Sequence, residues 1–184
     1  MKKILFAILI VVFITVSCEK EQDPFLISKQ SIGFLTDSTQ VKDLKTIFVN
    51  DSISKYIGGD EFVGNINDIE IFDNTGKLLL ALTPSQSLDS TAVIKTIKVV
   101  DERYKTEKGL NTKSTFKDIR DNYKISSIQN SIRSVIVSTD EINAFFVIDK
   151  EELPANMRFD MSLKIEAIQI PAEAEIKNFF LKWN

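Results

Sequence analysis

The chain has 184 residues, with 23 Lys and Arg against 26 Asp and Glu, a net charge of −3, and no histidine. The mild acidity argues against a nucleic-acid partner, which needs a clustered positive surface to neutralise phosphates. The missing histidine removes the commonest general base near neutral pH, the Ser-His-Asp and Cys-His arrangements and the usual zinc ligands.

In chain order the first element is a leader. Lys2 and Lys3 precede an apolar run from Ile4 to Val16, then Ser17, Cys18 and the charged Glu19-Lys20-Glu21. A transmembrane helix needs about 20 apolar residues, and this run is shorter. A basic start, a short apolar stretch and a small residue form a secretory signal. Thr15-Val16-Ser17-Cys18 resembles a lipobox, with Thr15 where Leu is usual, and Cys18 is the only cysteine, so it has no disulfide partner. The expectation is a signal peptide over residues 1–17, lipid on Cys18, a charged tether over 18–29 and one globular domain over 30–184. The membrane is then reached through the N-terminal lipid. Residues 19–23 are too polar to order themselves. Charge just after the cysteine resembles the export signal of Bacteroidota lipoproteins, although Gln22 interrupts the acids. An outer-membrane location follows, and surface-exposed and periplasm-facing positions both stay open.

Past the tether, Val41-Lys42-Asp43-Leu44-Lys45 with Phe48 lines up with Phe116-Lys117-Asp118-Ile119-Arg120 with Tyr123, at an offset of 75 residues. Each copy follows a Gly and Ser/Thr stretch able to cap a helix. Positions 41, 44 and 48, and 116, 119 and 123, fall on one helical face. Two short amphipathic helices are predicted, with a degenerate internal repeat as one explanation of the match.

Strands are read from alternation. Residues 68–72 and 77–82 flank Asp73-Asn74-Thr75-Gly76, where Asn and Gly suit a tight hairpin. Alternating runs follow at 93–99, 132–137, 142–148, 161–167 and 179–183. About seven strands and few helices predict an α+β fold, a mostly antiparallel curved sheet with the helices on one face. Phe145-Phe146 and Phe179-Phe180 must each put one ring on either face of a strand. The pair opposite the core then marks a contact surface if left uncovered.

Ser31 to Thr39, Ile94 to Asp101, Lys108 to Asp118 and the strand from Lys177 to Trp183 resemble, in that order, the sigma-E-regulated (RpoE-regulated) envelope lipoproteins of Gram-negative bacteria. The resemblance implies location, fold class and a link to envelope stress. It implies no active site, since that family is of unknown molecular function. The disulfide-forming cysteines of some relatives are absent here.

A search for chemistry finds no catalytic residue, metal ligand or cofactor motif. Adjacent acids occur at Asp60-Glu61, Asp101-Glu102, Asp140-Glu141 and Glu151-Glu152, and two carboxylates suffice for glycoside hydrolysis, but turn acids are usually solvated loop ends. Asp68, Glu70 and Asp73 to Thr75 lack the EF-hand spacing of a calcium loop, and Gly109 to Ser114 ends in Lys113-Ser114 but lacks the second glycine and the spacing of a phosphate loop. The reading is a non-enzymatic envelope protein that binds a protein, peptide or glycan or supports the outer membrane. Two alternatives stay open: an acid-only hydrolase, marked by a pocket holding two carboxylates of which one has a raised pKa, and an enzyme inhibitor inserting the polar loop from Asp51 to Asn67.

Overall fold

The Asp73-Asn74-Thr75-Gly76 turn forms as its sequence requires. Asp73 Oδ1 accepts from the Thr75 N–H, the Thr75 hydroxyl and the Lys77 N–H, and Gly76 takes φ 83°, a conformation that suits glycine. The turn joins strand β5 (Ile69–Phe72) to β6 (Leu78–Pro84). The computed structural model describes residues 22–55 and 68–183. Before this hairpin come β1 (Leu26–Ile27), β2 (Ser31–Ile32), β3 (Leu35–Thr36), helix α1 (Leu44–Ile47) and β4 (Ser52–Lys55). After it come β7 (Ile94–Val99), β8 (Lys105–Thr106), α2 (Phe116–Asn122), β9 (Ser127–Asn130), β10 (Ser134–Thr139), β11 (Ala144–Asp149) and β12 (Ile176–Lys182).

The fold is α+β and dominated by strands. An antiparallel sheet runs β4-β5-β6-β7-β12-β11-β10-β9, and a small sheet runs β3-β2-β1-β8, with β1 and β8 parallel. The described residues thus hold twelve strands in two sheets, in place of the expected seven or so in one. The excess comes largely from two-residue strands, too short for alternation to register.

The large sheet is two four-stranded meanders, β4 to β7 and β9 to β12, joined through β7 and β12. Each follows a helix entered through a capping box: Gln40 with Asp43 before the 3-10 turn Val41–Asp43 that leads into α1, and Thr115 with Asp118 before α2. Gln40 and Thr115 also bridge equivalent places, Val93 just ahead of β7 and Glu175 just ahead of β12. The first hairpin turns through Gly76 and the second through Asn143, both with positive φ.

Alternation sorts the faces. Leu80, Val99, Phe179, Phe146 and Val137 pair in one row across the sheet and all are buried. Their cover is not helical alone. Ile27, Ile32 and Leu35 of the small sheet, Leu44 of α1, Phe116 and Ile119 of α2, and Leu153, Met157, Ile165 and Ile170 of the β11–β12 connection share the same core. The expectation of helices as the layer on one face is corrected accordingly: α1 has 4 residues and α2 has 7, too few to span a sheet.

Two boundaries also move. Leu26 and Ile27, assigned to the tether by sequence, form β1, and Ile27 is fully buried. The alternation at 161–167 makes no strand. Asp160 Oδ1 instead accepts from Ser162 N and Oγ, a local turn that competes with extension, and Ala167–Gln169 is a 3-10 turn capped by Glu166.

Candidate functional site

Cys18 and the Asp60-Glu61 pair lie outside the described residues, as do residues 56–67 of the loop from Asp51 to Asn67. The remaining acid pairs are not assembled into one site. The Asp101 side chain is fully buried, accepting from the Arg103 N–H, Nε and NH2 and pairing with Lys77 at 3.0 Å. Burial opposes its charge, but the Arg103 and Lys77 hydrogen bonds outweigh that and hold it at about 2. Arg103 also donates to Asp73 Oδ2 at 3.0 Å and lies over the Phe25 ring at 4.8 Å, so this network fastens the β5–β6 turn to the N-terminal segment. Asp140 accepts from the Ser126 hydroxyl. Glu141 accepts from the Lys124 N–H and from Lys108, and both contacts lower its pKa.

Two of the acids without EF-hand spacing are engaged within the sheet: Asp68 accepts from the Thr83 hydroxyl at 2.6 Å, and Asp73 holds its turn. Among the described residues no group of three His, Cys, Asp or Glu could hold a metal ion. Asp51 has a raised pKa, from burial first and then the Asp73 charge. It lines none of the concavities described below.

What sequence reasoning missed is a gathering of cations. Lys77, Lys98, Lys113 and Lys177, with Glu102, line a concavity of about 490 Å³. A second, of about 500 Å³, is lined by Arg133, Lys150, Arg158 and Lys177 with Asp149 and Glu151. Lys177 borders both, and its ammonium is paired with Asp149 at 2.6 Å. These cations lie far apart in the chain, and only the pairing of β12 with β7 and β11 brings Lys98, Lys177 and Asp149 together. Net charge carried no signal of them.

Beside Lys98 the outer face is aromatic. Lys98 pairs with Phe180, and Phe180 with Phe145. The two rings stack at 4.7 Å and 10° and are half-buried, while Phe146 and Phe179 stack in the core at 4.7 Å and 41°. A third concavity, of about 340 Å³, is bordered by Lys108, Tyr123 and Glu141. There the Lys108 ammonium sits 4.3 Å from the Tyr123 ring centre and pairs with Glu141 at 3.1 Å, so its charge is already matched.

Among the described residues no helix is long and apolar enough to cross a membrane. No family model matches the chain, and no curated protein matches it significantly. Among solved structures it is similar to the uncharacterized protein yfeY from Escherichia coli, with a TM-score of 0.54 at 13% identity over 85% of this chain and 98% of that one. At that identity the likeness speaks to fold alone.

Proposed function

We propose that this chain is a lipoprotein anchored to the outer membrane through Cys18, acting as a non-enzymatic binding or structural protein of the envelope. The leader ending at Cys18 carries the reading. The placement of Gln22 agrees with it: four residues beyond the cysteine, its side chain donates to Gly33 O at 2.6 Å. The charged residues between Cys18 and this contact are then a short solvated spacer that holds the domain off the membrane.

Binding is favoured over acid-only hydrolysis by the state of the carboxylates. Glu141 and Asp149, two of the acids that border the concavities, are both lowered by their partners, and an ionised acid cannot donate a proton. The two meanders with their matching capped helices support descent from an internal duplication. From the resemblance to sigma-E-regulated lipoproteins we infer a link to the envelope-stress response.

Cys18→Ala tests the anchor. Labelled palmitate should be incorporated into the wild type and not into the variant, which should stay uncleaved or leave the membrane fraction. Equal labelling of both would sink the reading.

A further inference from the structure

Lys150 opens the 3-10 turn Lys150–Glu152 that follows β11, and the whole residue is only 4% exposed. Most exposed lysines keep far more of the side chain in water than this one does. Its Nζ donates to Met161 Sδ at 3.6 Å, a weak acceptor, and it makes no ion pair among the described residues. Asp160 feels its charge, but Asp160 Oδ1 accepts from Ser162 N and Oγ. The backbone fixes the residue in place: Lys150 N donates to Arg133 O at 3.0 Å, and Leu153 N to Lys150 O at 3.1 Å. A buried ammonium without an anion is costly unless something supplies one.

The concavity it lines supplies the rest of a site. Arg133 and Arg158 stand on the same wall. Arg158 Nε is held by Leu153 O at 2.7 Å, while its terminal nitrogens make no hydrogen bond among the described residues. Among the residues that line the concavity, Arg133, Lys150, Arg158 and Lys177 stand against Asp149 and Glu151, an excess of two positive charges, with Asp160 near Lys150 but outside the lining. A phosphate monoester carries about that charge, roughly −1.5 to −2 at neutral pH, and guanidinium forks match its oxygens. Two large apolar side chains border the same concavity, Phe159 at 90% exposed and Ile132 at 75%.

We propose that this concavity binds a phosphate monoester, with the phosphate on Lys150, Arg133 and Arg158 and an apolar substituent on Phe159 and Ile132. The proposal names a ligand class for the chain and rests on its reading as a binding protein.

Calorimetric titration of the full chain with phenyl phosphate tests it. Wild type should bind saturably. Lys150→Met, close in volume, should weaken binding by about tenfold or more, as should Arg133→Ala, whose exposed side chain is not needed for folding. Phe159→Ala should weaken phenyl phosphate and leave inorganic phosphate unchanged. Dihexanoyl phosphatidic acid tells a lipid headgroup from a soluble ester: tighter binding than phenyl phosphate supports the site with a lipid source, weaker binding supports it with a soluble one. No binding to wild type, or equal affinity in wild type and both cation variants, overturns the proposal. Palmitate labelling of Cys18 is read separately, so failure of the site and failure of the anchor are distinguishable.

Discussion

At the scale of single residues, Asp101 shows how burial reassigns a group. In sequence it is half of an acid pair, a candidate for catalysis; in the structure its carboxylate is the buried acceptor that joins Arg103 and Lys77. Its folded pKa of about 2 lies below the ordinary 3.8. Its stabilisation is therefore complete above about pH 4 and disappears as pH falls toward 2. Asp101→Asn should lower stability at neutral pH by about 2 kcal/mol, the scale of hydrogen bonds to a charged group. It should also flatten the fall of the melting temperature between pH 4 and 2. A variant whose melting curves track the wild type across that range would show the network to be idle. Gly33 is a second case. It has φ 54°, and a Cβ there would stand 2.2 Å from Pro24 O, so the turn between β2 and β3 requires glycine for space as well as for conformation.

At the scale of elements, β12 is central. It pairs with both β7 and β11, and the indole of Trp183, just past its end, is buried, while Trp183 N donates to Lys95 O at 2.8 Å. Truncating a buried aromatic costs about 3–5 kcal/mol, a large part of a stability of roughly 5–15 kcal/mol. Trp183→Ala should lower the melting temperature by many degrees, and exposed Lys182→Ala should change it little; an unaffected transition in Trp183→Ala would contradict the packing described. The 161–167 run fails as a strand although its alternation is as regular as that of β11. Pattern registers which residues could share a face, whereas a strand also needs a neighbour to pair with, and this segment instead packs Ile165 into the core from the β11–β12 connection.

At the scale of the whole molecule, the two meanders meet so that Lys98 faces Phe180 near the middle of the sheet. The same arrangement brings Lys77, Lys98 and Lys113 into one concavity bordered by Lys177, and Arg133, Lys150 and Arg158 into another. If Glu19-Lys20-Glu21 acts as the export signal it resembles, those residues set the side of the outer membrane on which the chain is displayed. Replacing those three with alanine should move it from the cell surface to the periplasmic side, read by protease shaving of intact cells. Equal accessibility before and after replacement would make them a plain spacer.

The capped helices at 41 and 116, the β5–β6 hairpin and the strands at β7, β11 and β12 were legible because each is a local matter. Capping, turn geometry and alternation involve residues within a few positions of one another. The stacked Phe145 and Phe180 were half legible: alternation required one ring of each pair on the face away from the core, but only register placed the two rings against each other. The small sheet was not legible, since a two-residue strand has no period, and neither was the cationic wall. Lys77, Lys98, Lys113, Arg133, Lys150, Arg158 and Lys177 are ordinary polar positions one by one. Strand order decided which of them became neighbours, and packing decided that Lys150 alone among them would be buried, because electrostatic energy depends on distance in space and on access to water, neither of which is written in the order of residues.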